Sequence, residues 1–175
     1  MGADCHMWLE VVGIDKHADG GDYVDGVAQI YVNRDYLLFG LLADVRMKDI
    51  VVFPPRGIPQ AISYQAELEY CLYVCEQDGE GCCTAIQAQK WIKEGVSCWF
   101  DTNHTRITNP DWHSASFLYT DEVAKVAEEF EIKINEGIND KTYFRLVQML
   151  KGLVQMMRCL DTPGYRSRIT YWFDN

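Results

Sequence analysis

The chain has 175 residues, 48 % of them hydrophobic and 24 % charged, with a formal net charge of −10. That is the composition of an ordinary globular protein, and the length predicts one domain, 1–175, able to bury about 70 % of the surface its unfolded form exposes. No apolar run approaches the ~20 residues of a membrane helix, and an acidic chain without clustered Lys and Arg is repelled by a phosphate backbone, so neither a membrane nor a nucleic-acid polymer is an expected partner.

Acids stand in "MGADCHMWLE" where a secretory signal would place a basic segment and then an apolar one, which predicts a cytoplasmic location. Seven cysteines are an odd number in a chain large enough to fold without staples, so free thiols are expected. Cys71 and Cys75 stand four apart and Cys82 and Cys83 are adjacent. Adjacent cysteines are hard to seat on one tetrahedral ion, and small buried thiols fit better than a zinc site.

"CHMWLEVVGI" opens as a strand, with Cys5, Met7, Leu9 and Val11 alternating against a second set that places Asp4, His6 and Glu10 on one face. "DKHADGGDYVDG" reads as a hairpin-like loop and "VAQIYV" as the returning strand. Asn33 is the expected cap of a short buried helix in "RDYLLFGLLADV", with Arg34 in its first turn and Arg46 near its end. "VVFPPRGIPQ" holds three prolines and a glycine in seven residues, so it is a shaped loop.

Ser63 predicts a cap for a helix from Tyr64 to about Cys75, and Thr84 one for a helix through "AIQAQKWIKEG". "VSCWF" reads as a short strand and "DTNHTRITNPDWHSASF" as a polar loop. Helices follow from Thr120 to a stop at Gly137 and from Lys141 to Leu160, the second with Phe144, Val147, Leu150, Leu153, Val154 and Met157 in one stripe. "YRSRITYWFDN" is strand-like: Ile169, Tyr171 and Phe173 alternate with Arg168, Thr170, Trp172 and Asp174. The expected fold class is α+β, an antiparallel sheet containing the N- and C-terminal strands, with helices packed on one face and loops over the other.

With the two end strands adjacent, Asp4, His6, Glu10, Arg168 and Asp174 gather on one face. Carboxylates and imidazole at period-two spacing suit a divalent metal, with Asp4, His6 and His113 as the ligands; a half-solvated sheet face with compensating charges has the same pattern. In "PDWHSASF", His113, Ser114 and Ser116 offer hydrogen bonds, while no serine stands in a G-x-S-x-G elbow. Arg34, Arg46 and Arg168 are candidate anion clamps.

Five stretches, "MGADCH" with Glu10, "RDYLLFGLLADVR", "PPRGIP", "DWHSASF" and "YWFDN", occur in the order of a family of small uncharacterised phage and prophage proteins, which this chain resembles over nearly its whole length. Ala3 replaces that family's cysteine before the acid, and Ala115 replaces its frequent second histidine. The resemblance implies a phage or mobile-element origin, a host bacterial cytoplasm as the location, and chain ends kept at one site, so that Asp174 and Asn175 serve as functional groups. On that basis the expected role is phage-type accessory: binding a small anionic, nucleotide-like ligand through Arg34, Arg46, His113, Ser114, Ser116, Arg168, Asp174 and Asn175, and so sequestering a host immune signal. The alternatives are a metal-dependent hydrolase of such a nucleotide and a protein-binding inhibitor. A homo-oligomer is compatible with each.

Overall fold

Pairing of the first strand with the last organises the molecule. In the computed structural model, which describes residues 3–14, 23–74, 82–83, 97–100, 104–108, 112–136 and 141–174 (side chains outside 71–111 and 141–142), β1 (Cys5–Gly13) runs antiparallel to β8 (Tyr165–Phe173) in unbroken register from Cys5 opposite Phe173 to Gly13 opposite Tyr165. β2 (Val24–Gln29) adds to the free side of β1 and β7 (His113–Tyr119) to that of β8, giving the order β2-β1-β8-β7. The expected α+β class, with both end strands in one antiparallel sheet, is the observed one.

Alternation divides the side chains of β1 and β8 between two faces. Met7, Leu9, Ile169, Tyr171 and Phe173 enter the main core. α1 (Tyr36–Ala43), α3 (Thr120–Asn135) and α4 (Lys141–Leu160) cover this face, contributing Leu38 and Phe39, Val126 and Phe130, and Val154 and Met157 among others. α1 is buried over almost its entire length because its sequence is nearly all apolar. Asp35 caps it by accepting from the Leu38 backbone N–H at 2.8 Å, so the expected cap, Asn33, lies two residues too early. The tight turn from α4 into β8 places Pro163 and then Gly164, at φ 90°, between the paired residues Thr162 and Tyr165, where only the glycine adopts the left-handed region without strain.

The opposite face is covered by α2 (Tyr64–Tyr70) and the proline-rich loop before it. Glu10, fully buried, organises this contact. One carboxylate oxygen accepts from the Ser63 backbone N–H at 2.6 Å, and the other from Arg168 Nε at 2.8 Å and Thr170 Oγ1 at 2.7 Å. Arg168 then donates to the Ala61 carbonyl at 2.5 Å. Opposite Glu10 on β2 stands Gly26, where a Cβ would lie 2.7 Å from the Gln65 side-chain oxygen and 3.1 Å from the Ser63 hydroxyl; its lack of a side chain lets the start of α2 approach the sheet.

Further expectations change. The helix capped by Ser63 ends at Tyr70, and Cys71–Val74 is a strand, β3. The polar stretch read as one loop holds β6 (His104–Thr108) as well as β7; with β4 (Cys82–Cys83) and β5 (Ser97–Phe100), the predicted strand in "VSCWF", these form a second sheet in the order β4-β3-β6-β5. Threonine and histidine there hide an extended backbone behind polar side chains. The helix expected after Thr84 lies outside the described residues. Among the described residues no helix is long and apolar enough to cross a membrane.

Removing either member of the buried pair strands the other's charge, so Glu10→Ala and Arg168→Ala should each lower urea stability by about 3–5 kcal/mol. The double variant Glu10→Leu/Arg168→Met should recover much of that loss. A double variant no more stable than the singles would show that the pair's electrostatics are not what the singles lose.

Candidate functional site

Strand alternation brings His6 to the face that carries Trp172, its cross-strand partner. Its Nδ1 lies 2.7 Å from Glu69 on α2 and its Nε2 3.4 Å from Asp174, just past the end of β8. A carboxylate at each ring nitrogen favours the charged form of the imidazole. The hydrogen bond to Glu69 raises its pKa above the ordinary histidine value; burial opposes this and Asp174 adds to it. The Trp172 ring stacks parallel to it at 5.7 Å and Trp112 lies tilted at 4.6 Å, so aromatic surface packs against the imidazole on both contacts. Glu69 is further bound by the Trp8 indole N–H and by the Gln29 amide. Burial alone would raise the Glu69 carboxyl, but the bonds from His6 and Trp8 outweigh it and hold the group below its usual value.

Asp174 and Asp4 lock the ends of β8 and β1 together: the Asp4 N–H donates to the Asp174 carboxylate at 2.7 Å, and the Asp174 N–H to the Asp4 carbonyl at 3.2 Å. The Asp4 carboxylate turns outward to Arg34, accepting from Nε at 2.5 Å and from a terminal nitrogen at 2.6 Å. That bidentate bond holds the Asp4 pKa below the usual carboxylate range.

Arg34 also borders a cleft of about 380 Å³ between the segment 31–35 and α4, lined by Tyr31, Asn33, Asp35, Arg145, Leu146 and Met149 besides Arg34 itself. Arg145, one turn into α4, is exposed and makes no ion pair among the described residues. Two arginines therefore line one cavity, with Asp35 beside them, in a protein of net charge −10. Leu146 and Met149 supply apolar lining and Asn33 an amide.

The residues expected at the site do not converge on one point. Arg34 joins the cleft, but Arg46 lies beyond the far end of α1, a helix about 12 Å long, and is not among the lining residues. Arg168 is buried in its pair with Glu10. Ser116 is buried, its hydroxyl accepting from the Arg56 N–H at 3.1 Å. His113 stacks on Phe173 with ring centroids 6.0 Å apart; Nδ1 meets the Ser114 hydroxyl at 3.0 Å, and Nε2 is buried without a partner among the described residues. Ser114 occupies the irregularity between β7 and β8 at φ 51°. Asp174 serves the His6 clamp, and Asn175 lies outside the described residues.

The metal set Asp4, His6 and His113 is not assembled. Asp4 is taken up by Arg34 and both His6 nitrogens by carboxylates, while His113 pairs with Phe173, one residue along β8 from the partner of His6 and hence on the opposite face. No group of three or more His, Cys, Asp or Glu among the described residues is arranged to hold an ion. Glu69, Tyr31 and Arg145 were not singled out by the sequence reading. Glu69 is 63 positions from His6 on a short helix, and Arg145 sits among surface residues of an amphipathic helix read for its apolar stripe.

The His6 clamp makes stability depend on pH with a defined sign. The folded-state pKa lies above the unfolded value, so the contribution is complete below the reference value of 6.5 and is lost as pH rises through the folded-state value. Urea midpoints of the wild type should therefore fall relative to those of His6→Gln on going from about pH 6 to about pH 9. Parallel profiles for the two proteins would contradict a charged His6.

No known protein family, curated protein or solved structure matches this chain.

Proposed function

We propose that the protein captures a small anionic, nucleotide-like ligand without converting it, and that the cleft between the segment 31–35 and α4 is where it does so. The observation that carries this reading is that Arg34 and Arg145 line one cavity of about 380 Å³. That volume falls in the range of small-molecule sites, about 300–1,000 Å³. Two guanidinium forks match the paired oxygens of phosphate or carboxylate. Asp4 takes up the Arg34 charge and Asp35 also lines the cleft, so Arg145 is the lining cation without an ion pair among the described residues and the one that draws an anion here.

The remaining lining fits the rest of such a ligand. Tyr31 is 82 % exposed, its ring open to stacking while its hydroxyl donates to the Gln29 amide oxygen at 2.8 Å. Leu146 and Met149 offer apolar contact and Asn33 can bond a heteroatom. Capture of this kind needs preorganised contacts and no nucleophile. Taken with the resemblance to phage and prophage proteins, the role such a binder would serve is removal of a nucleotide signal used in host defence.

The direct test is to incubate the protein with cyclic dinucleotides, ADP-ribose and related NAD-derived nucleotides, then chromatograph the free pool before and after heat denaturation. A compound that leaves the free pool and returns intact supports capture. Its return as fragments would replace capture with hydrolysis, and no depletion of any compound would overturn the reading. For a captured compound, Arg145→Ala should weaken binding by about ten- to a hundred-fold, the loss of one charged hydrogen bond worth about 1.5–3 kcal/mol.

A further inference from the structure

Arg34 belongs to two arrangements. Its side chain lines the cleft with Arg145, yet both prongs of its guanidinium are occupied by Asp4, at 2.5 and 2.6 Å. A carboxylate bound in this bidentate way presents the same planar pair of acceptors as two oxygens of a phosphate, so Asp4 occupies the place of a ligand's anionic group. Arg145 has no such occupant among the described residues.

The Asp4–Arg34 pair is reached by water: its side chains are 46 % and 55 % exposed, and solvent screening lowers what such a pair contributes. Opening it leaves the fold in place, because Asp4 is tied to Asp174 through its backbone N–H and carbonyl and not through its carboxylate.

Resting on the binding reading above, we infer that nucleotide binding proceeds by exchange: Arg34 leaves the Asp4 carboxylate for the ligand phosphate, which it grips with Arg145, while the base stacks on Tyr31. Asp4 is then an intramolecular competitor that lowers affinity. It sets a threshold for the ligand, since an anion must offer Arg34 more than Asp4 does. A nucleotide meets that condition through the added contact of its base with Tyr31, and a bare phosphate or pyrophosphate has no such contact.

Calorimetric titration of AMP, ADP-ribose, a cyclic dinucleotide and inorganic pyrophosphate into wild type, Asp4→Asn, Arg34→Gln, the double variant and Tyr31→Ala tests this, with circular dichroism to confirm each fold. Asp4→Asn should bind the nucleotide about two- to five-fold tighter, the range spanned by an exposed ion pair. That gain should vanish in the Arg34→Gln background, because the two residues act through one contact. Tyr31→Ala should weaken the nucleotide and leave pyrophosphate unchanged. An unaltered affinity in Asp4→Asn, or a gain that persists without Arg34, would overturn the exchange while binding that still depends on Arg145 leaves the capture reading standing. If no nucleotide binds any of the proteins, the capture reading itself falls.

Discussion

A carboxylate with no exposure to water, Glu10, is the constraint on which the rest of the sheet's second face depends. A buried charge is tolerated only where its partners are complete, and here they come from two segments: Arg168 and Thr170 on β8, and the stretch entering α2, with Ser63 bonded directly and Ala61 through Arg168. None can shift without leaving a charge or a donor unsatisfied. The network therefore fixes the β1–β8 register, the position of the proline-rich loop and the start of α2 together. A slip of β8 by one residue would turn Arg168 into the apolar core and Ile169 out of it.

From that anchor the two ionic features of the surface follow. Seating α2 on the sheet brings Glu69 to His6, and the β1–β8 register brings Asp174 to the other side of the same ring. Asp4, bonded to Asp174 through its backbone, is left with a free carboxylate that turns to Arg34. A chain of contacts thus runs from a dry ion pair, through a half-buried imidazole, to an exposed bridge at the cleft. Strength and permanence decline along it with increasing access to water.

Much of this was legible in the sequence because periodicity and punctuation are local. The alternation of Met7, Leu9, Ile169, Tyr171 and Phe173 announced two strands with one apolar face, and the stripe from Val147 to Met157 announced α4. The sharing of a face by Asp4, His6, Glu10, Arg168 and Asp174 also followed from counting by twos. What could not be read was which oppositely charged groups would meet. Glu69 and His6, or Glu10 and Arg168, are joined only by tertiary structure across 63 and 158 positions. Arg168 and His113 looked like ligand groups because nothing in their neighbours reveals that one is neutralised inside the sheet and the other packed flat on Phe173. The second sheet was missed because Thr and His residues in β6 resemble loop composition.

The adjacency of β1 and β8 has a consequence in time. Residues 5 and 173 are nearest neighbours, so the central pairing of the sheet has a sequence separation close to the maximum this chain permits. Loop-closure entropy must be met before any of that pairing is rewarded, which places the protein among slow-folding topologies. During synthesis β1 emerges before β8 and waits for its partner while the residues between them are made. α3 and α4, joined by a short connection and packed on each other, can form in the interval from local contacts. Met7 and Leu9 share their core with these helices, and the pairing of β8 with β1 brings Asp174 to His6.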